Sequence, residues 1–427
     1  MNAVCVAAVV LLVSLFSKIP VFVSIMLGSI SYFFLVPEVS MQIVVQRFTS
    51  GLESVPLLAA PFFICAGVFM NYCGVTTRIM HFCTVLTGRM SGGLAQVNVL
   101  MSTLMGGLCG SNIADAAMEA KILVPEMEKQ GLPKPFSTVV TAFSAVITPL
   151  IPPGVLMILY GALASVSIGQ LFISGISVGL ITCVCLMVLT AVISKKNGYR
   201  PYRTEKATVR DFMQAFTKAL LPLCLPIIII GGIRIGVFTP TEAGAIAVAY
   251  ALFLGIYYRE LSWDDFVAGI KEAVITTGAI ELIIGAASVF AWILTKEQVP
   301  QKISEWMLLT ISNKYLFLLL VNLFLLVVGM FIEGTAAAIV LVPLLAPIAA
   351  AFQIDPIQFA FIFIFNFSIG AITPPMGTLM FVTCSVTKCK TKDFLKASVP
   401  YFAVFFFILA IITLVPLATT GILKLFY

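Results

Sequence analysis

Apolar stretches of membrane-spanning or nearly membrane-spanning length follow one another along the whole chain, and no other feature constrains the fold as tightly. They lie near residues 2–16, 19–36, 54–72, 92–109, 111–124, 136–150, 154–166, 168–194, 212–235, 241–258, 269–294, 315–332, 335–352, 357–372, 376–387 and 400–425. A bilayer core of ~30 Å takes about 20 apolar residues per helix, and several stretches fall short of that. The short ones come in adjacent pairs, 92–124, 136–166, 315–352 and 357–387, each interrupted near its middle by Gly, Pro or polar residues. Half-spans that turn or unwind at membrane depth account for the pairing. Only 10% of the 427 residues are charged and 60% are hydrophobic, whereas a soluble domain carries about 25% charged residues. The expected fold class is an all-α integral membrane protein in contact with the lipid bilayer, and the same arithmetic argues against nucleic-acid binding and soluble enzymology.

The chain also matches itself at an offset of about 222 residues, a self-similarity that points to repeated architecture. Pro125, Pro135 and Pro152-Pro153 correspond to Pro347, Pro356 and Pro374-Pro375, and Asn98 falls opposite Asn322. Gly110-Ser111-Asn112-Ile113-Ala114 falls near Ile332-Glu333-Gly334-Thr335-Ala336, so both copies place small or polar residues at the centre of a paired segment. The resulting division is N-terminal scaffold helices in 1–52, repeat 1 in 53–166, connecting scaffold helices in 167–275, repeat 2 in 276–388 and a C-terminal helix in 389–427. Repeat 1 holds a re-entrant hairpin (92–124) and a broken helix (136–166); repeat 2 holds their counterparts (315–352 and 357–387).

Basic residues gather in loops, which orients spans with the basic side in the cytoplasm. The strongest such loop is 195–211, carrying Lys195, Lys196, Arg200, Arg203, Lys206 and Arg210. Counting spans outward from it puts a loop with Arg78, His81 and Arg89, and the run Lys388, Lys390, Lys392 and Lys396, on the same side. The two repeats then have opposite topology, an arrangement typical of secondary transporters. Ten cysteines show no zinc or disulfide spacing and read as small buried hydrophobes. The single histidine excludes a site needing two imidazoles, and the first residues, lacking a basic leader or a cleavage site, are expected to be retained.

Three motifs can carry chemistry. The first, Gly106-Gly107-Leu108-Cys109-Gly110-Ser111-Asn112-Ile113-Ala114-Asp115, puts glycines, exposed carbonyls and the Ser111 and Asn112 oxygens between two apolar half-spans. Irregular backbone persists at that depth only when buried or lining a wet cavity, and such oxygens suit Na⁺. The alternative is a plain helix contact between small residues. Asp115 is a functional candidate because it is an intramembrane acid, able to cap or brace the Ser111-Asn112 turn, with proton carriage a lesser option. Glu119 and Lys121 read instead as solvated charges at the cytoplasmic mouth. The second motif, Thr148-Pro149-Leu150-Ile151-Pro152-Pro153-Gly154, is mirrored by Thr373-Pro374-Pro375-Met376-Gly377. Each proline removes a donor and frees a carbonyl that can face a cation, with help from the Thr148 or Thr373 hydroxyl; kinks serving shape alone are the competing reading. The third comprises Glu333-Gly334-Thr335, whose carboxylate reads as a solvated charge in the outer vestibule, and Asn366 ahead of the second proline break. No phosphate-binding glycine loop, nucleophile elbow or zinc motif is present.

With Gly110 to Ala117, Ile122-Leu123-Val124-Pro125-Glu126-Met127, Ile151-Pro152-Pro153-Gly154, Tyr160-Gly161 and Thr373-Pro374-Pro375-Met376-Gly377, the chain resembles over essentially its whole length the large membrane subunit, DctM-like, of the tripartite ATP-independent periplasmic (TRAP) transporters. The resemblance implies an elevator-type, Na⁺-coupled importer of a small carboxylate in the bacterial inner membrane. It also implies two partners, a small membrane subunit of about four spans and a periplasmic substrate-binding protein. Carried over by position, Ser111 and Asn112 with the backbone around Thr148, Pro149 and Pro152 form one sodium site, and Gly334, Thr373 and Met376 its mirror image. Gly110, Asp115, Pro153, Thr335, Asn366, Pro374, Pro375 and Gly377 are then the hairpin-tip or substrate-facing residues. Met118, Glu119 and Lys121 depart from the small residues usual for the family after Ala117. A stand-alone carrier of similar architecture is the runner-up; a channel, a membrane enzyme and a non-transporting subunit are further readings, the enzyme disfavoured because only Asp115 stands out at depth.

Overall fold

In the computed structural model every residue is described except Met1, Lys18, Gly110, Thr204, Lys206, Ser312 and Tyr427. The described residues form α-helices and one 3-10 helix, without strands. The first group is α1 (Asn2–Phe16), α2 (Val21–Leu35), α3 (Gln42–Leu52), α4 (Ala59–Tyr72) and α5 (Val75–Thr87). Then come the arms of the first hairpin, α6 (Leu94–Cys109) and α7 (Asn112–Lys129). The first broken helix runs as α8 (Lys134–Ser144), a 3-10 turn (Ala145–Leu150) and α9 (Val155–Ala164). After α10 (Ile168–Lys196) come α11 (Val209–Arg234), α12 (Pro240–Tyr258), α13 (Trp263–Lys296) and α14 (Val299–Thr310). The second hairpin, α15 (Lys314–Gly329) and α16 (Gly334–Ala351), precedes the second broken helix, α17 (Pro356–Gly370) and α18 (Thr378–Thr387), and then α19 (Thr391–Leu414). Among the described residues six helices, α10 to α13, α16 and α19, are long and apolar enough to cross a bilayer. Two bent pairs, α4 with α5 (73°) and α8 with α9 (40°), would raise the number to eight if each is one span.

The breaks fall where the backbone chemistry requires them. Pro149, Pro152 and Pro153 lack donors, so the α-ladder tightens to 3-10 geometry at Ala145–Leu150 and stops before α9 resumes. In the second copy the helix ends at Gly370 and resumes at Thr378 across Pro374 and Pro375. At the hairpin tips Ser111 caps α7 by accepting from the Ala114 amide, and Glu333 occupies the N-cap of α16.

The helices sort into two packing sets. α1 to α5 pack with α11 to α13, chiefly α12 on α4, α13 on α2, α3 and α4, and α11 on α5. The hairpins and broken helices pack with α10 and α19 and interlock: α7 of the first hairpin lies on α18, and α16 of the second on α9. Lipid offers no hydrophobic drive for this packing, so close approach and buried hydrogen bonds carry it. Gly370 meets Gly329 where α17 crosses α15, and an added Cβ on Gly370 would sit 2.5 Å from the Gly329 carbonyl carbon. In the first copy Gly106 and Gly107 likewise lie against the backbone of Thr148 and Pro152. α17 is buried on all sides from Ile357 to Gly370, and Phe143 of α8 packs on Tyr401, Phe402 and Phe405 of α19 with centroids 4.9–5.4 Å apart.

The basic loops share one end of the molecule. Tyr202 and Arg203 donate backbone N–H bonds to Gly88, Gln130 Nε2 donates to the Arg200 carbonyl at 2.7 Å, and Leu94 N donates to Gln130 Oε1. Thr138 Oγ1, near the start of α8, donates to Thr387 Oγ1 at 3.1 Å, bringing Lys388 to the same end. One expectation fails locally. Arg78 and His81 belong not to a loop but to α5, and only Arg89 lies beyond its end. Polar residues on that helix disguise it, yet Arg78 is anchored to Glu260 at 2.8 Å and to the Tyr258 ring, while His81 is exposed.

Candidate functional site

Where the two sets meet, a cavity of about 360 Å³ collects the interruptions from both copies. Ser111, Asn112, Ile113 and Ala114 of the first hairpin tip face Glu333, Gly334 and Thr335 of the second across it. The broken helices contribute Pro149, Val155 and Leu156 on one side and Phe367, Ser368, Ala371 and Thr378 on the other. The remaining wall comes from α4, including Asn71, and from α13, including Glu272 and Thr276. Both α7 and α16 start at this cavity, so the positive ends of two helices point toward it.

Of the residues singled out from the sequence, the structure therefore brings Ser111, Asn112, Pro149, Glu333, Gly334 and Thr335 to the lining of one cavity. Thr148 lies behind it, buried, its Oγ1 donating to Asp115 Oδ2 at 2.7 Å. Thr373, in the break after α17, donates back to the Ile369 carbonyl of that helix at 2.7 Å. Pro152 and Pro153 are buried beneath the break, whereas Pro375 and Met376 are exposed and Pro374 half-buried, outside the cavity lining. Gly377 adopts φ +28°, which restarts the chain into α18. Gly110 lies outside the described residues. Glu333 is exposed on the cavity wall and accepts a short hydrogen bond from Thr335 Oγ1. The wall contributions of Asn71, Glu272 and Thr276 escaped the sequence reading, because each lies on an apolar helix with no neighbouring break to mark it, and Thr378 escaped it although it directly follows the second proline break.

A buried polar seam runs away from the cavity between α6, α7 and α8. Asn98 Nδ2 donates to Thr141 Oγ1, and Ser144 Oγ donates to Asn98 Oδ1, both at 2.7 Å. A similar bond joins α17 to α15, Asn366 Nδ2 donating to Asn322 Oδ1 at 2.6 Å; the contacts span 46 and 44 residues respectively. Two sequence expectations change here. Glu119 is not a solvated charge at the mouth: it is 0% exposed and accepts from Ser102 Oγ at 2.7 Å. Asp115, 1% exposed, braces the broken helix through Thr148 rather than the Ser111-Asn112 turn, which Ser111 caps itself. Lys121, on another face of α7, is exposed as expected.

Chemically the cavity is rich in hard oxygens and poor in positive charge. The Ser111, Asn112 and Thr335 side chains offer uncharged oxygens of the kind Na⁺ prefers. Two carboxylates, Glu272 and Glu333, lie in the described lining, and no Lys, Arg or His does. A second cavity, between α5, α11 and α12, is lined by Arg78, His81 and Lys218 and touches neither hairpin tip.

Comparison with known proteins agrees with this architecture. The family described as "Tripartite ATP-independent periplasmic transporter, DctM component" matches residues 8–418. The large permease protein of a sialic acid TRAP transporter from Vibrio cholerae is 37% identical over 413 residues, 96% of each chain. That of a C4-dicarboxylate TRAP transporter from Pseudomonas aeruginosa is 34% identical over 91% of each. Among solved structures, the Alcanivorax borkumensis YdaH transporter shares the fold with a TM-score of 0.60, at 13% identity, over 87% of this chain and 86% of that one. With the family spanning nearly all of a membrane-embedded, all-helical chain, the protein belongs to the tripartite ATP-independent periplasmic transporters as their large, DctM-type permease subunit.

Proposed function

We propose that this chain imports a small organic acid together with Na⁺, the acid being delivered by a periplasmic binding protein and the chain working beside a small membrane subunit in the bacterial inner membrane. The substrates named for its relatives, sialic acid and C4-dicarboxylates, define the class. One observation carries the reading: the cavity between the hairpin tips is lined by two carboxylates and no basic side chain among the described residues. An organic anion entering such a space meets two helix N-termini but no counter-charge, and two Glu side chains repel it. A cation bound with it reverses the balance, since opposite unit charges 4 Å apart attract by about 4 kcal/mol at an effective dielectric of 20. Each ion then raises the affinity for the other by the same factor. The cavity lies between the scaffold set and the interlocked hairpin set, so movement of one set against the other would carry its contents between faces, an elevator form of alternating access.

The test is uptake by the three-component system in proteoliposomes, with N-acetylneuraminate and succinate as probes. Uptake should require an inward Na⁺ gradient, and Ser111→Ala with Thr335→Val should reduce it at least tenfold while the protein remains folded. Uptake indifferent to Na⁺, or unchanged in the double variant, overturns the proposal.

A further inference from the structure

The most unusual group in the molecule outside the cavity is Glu119. Its carboxyl is fully buried, Oε2 accepts from Ser102 Oγ, and Oε1 has no hydrogen-bond partner. One helical turn nearer the tip, Asp115 repeats the pattern, with Oδ2 bonded to Thr148 and Oδ1 unpartnered. Residues four apart on a helix are side-by-side neighbours. Two orphaned acceptors therefore share one buried face, where each missing bond is costly. Among the described residues neither carboxyl has an ion-pair partner.

The surroundings supply no compensating charge. α6 and the 3-10 turn carry no acidic, basic or imidazole side chain. From α5 the Cys83 thiol faces Glu119, with Cys183 of α10 behind it. α18 offers only the buried Cys384. On α8 the one charge is Lys134, at its start and paired with Glu128 at 3.3 Å. On α7 itself Lys121 is exposed, and Glu126 pairs with Lys129. Neither of the two cavities described above has Asp115 or Glu119 in its lining, and a proton needs no cavity.

We infer that Glu119 is a proton-binding site of the first hairpin, holding on its carboxyl a proton that is taken up and given back to water as the hairpin changes partners during transport. An O–H bond on Oε1 gives the pair the donor it lacks, one that neighbouring Asp115 Oδ1 can accept. Release breaks that O–H bond and no other. The proton passes directly to water when the hairpin's movement uncovers the carboxyl, because the buried neighbours Ser144, Asn98 and Thr141 end on the Ser137 carbonyl, which has no proton to hand on.

Presence of the proton is independent of the transport reading, whereas its cycling rests on it, so the test has two arms. Infrared spectroscopy of the permease with its small subunit in lipid at neutral pH should show a buried carboxylic-acid C=O band. It should vanish in Glu119→Gln and persist in Glu126→Gln. Gln keeps the acceptor for Ser102 and adds a donor toward Asp115, so it mimics the protonated state with little disturbance. In the second arm, uptake by wild type should change by up to about tenfold per pH unit on one side of its optimum, as one titrating proton dictates. Glu119→Gln should flatten this to less than about twofold. A wild-type protein without the acid band overturns the inference even if Glu119→Gln fails to fold or no uptake is measurable. A band that survives in Glu119→Gln overturns it too, as does an unaltered pH profile.

Discussion

Substituting Gly370 by Ala probes the crossing that holds the second hairpin against its broken helix. An ideal Cβ there falls 2.5 Å from the carbonyl carbon of Gly329, 2.6 Å from its Cα and 2.8 Å from its oxygen. Carbon atoms in ordinary contact sit 3.5–4.0 Å apart, so α15 and α17 must separate by about 1 Å. All three atoms are backbone, and no flexible side chain can swing aside. Overpacking of this kind costs about 1–3 kcal/mol. For a chain of 427 residues that corresponds to a fall in melting temperature of roughly 1–3 °C, measurable by thermal shift in detergent. Gly329→Ala should lose less, because its Cβ would meet Phe367 and Gly370 atoms at 3.2–3.3 Å. Gly278→Ala, with nothing within 4 Å on α13, should match wild type or gain slightly. If Gly370→Ala melts with Gly278→Ala and wild type, the close crossing is wrong.

Three further outcomes follow from named contacts. A double-mutant cycle on Asn98→Ala and Ser144→Ala should show coupling of about 1 kcal/mol or more, because each single change orphans a buried partner; independent, additive losses would refute the seam. Arg78→Lys should destabilise the α5–α12 contact by about 1–2 kcal/mol in thermal shift, since Lys cannot at once pair with Glu260, donate to the Gly74 carbonyl and stack on Tyr258; a neutral effect would argue against that anchor. At the start of α11, hydrogen bonds from Thr208 hold the Asp211 carboxyl below the usual carboxylate range. Its stabilisation is therefore complete above that range and lost as pH falls through it. Amide exchange near Val209, corrected for intrinsic rate, should speed up on acidification in wild type but not in Asp211→Asn.

Much of the architecture is legible because its decisive residues carry backbone information. Pro149, Pro152 and Pro153 cannot complete an α-ladder wherever they lie, so the break they cause is a local property of sequence. The tip at Ser111 and Asn112 is readable for the same reason. What the sequence conceals depends on distant neighbours. Glu119, two residues from Lys121, looks like half of a solvated pair; only the packing of α6 and α8 around it turns one face of α7 inward. Glu272 and Thr276 look like polar interruptions of a long helix, and their place on the cavity wall is set by α13 crossing from the scaffold set to α16. The helix at Val75–Thr87 was hidden by its Arg and His, which read as loop residues until Glu260 and Tyr258 supply a partner.

The central claim is that the acid and Na⁺ meet between the hairpin tips, and site-specific labelling of the complete complex tests it most directly. In a cysteine-free background, Ala114→Cys and Ala279→Cys place thiols on opposite walls of the cavity, and Lys218→Cys places one in the other cavity. Reaction with a hydrophilic maleimide at positions 114 and 279 should slow markedly when Na⁺ and the carboxylate are present together, with little effect of either alone and none at 218. Equal reactivity at 114 and 279 under all conditions, or protection confined to 218, would contradict it.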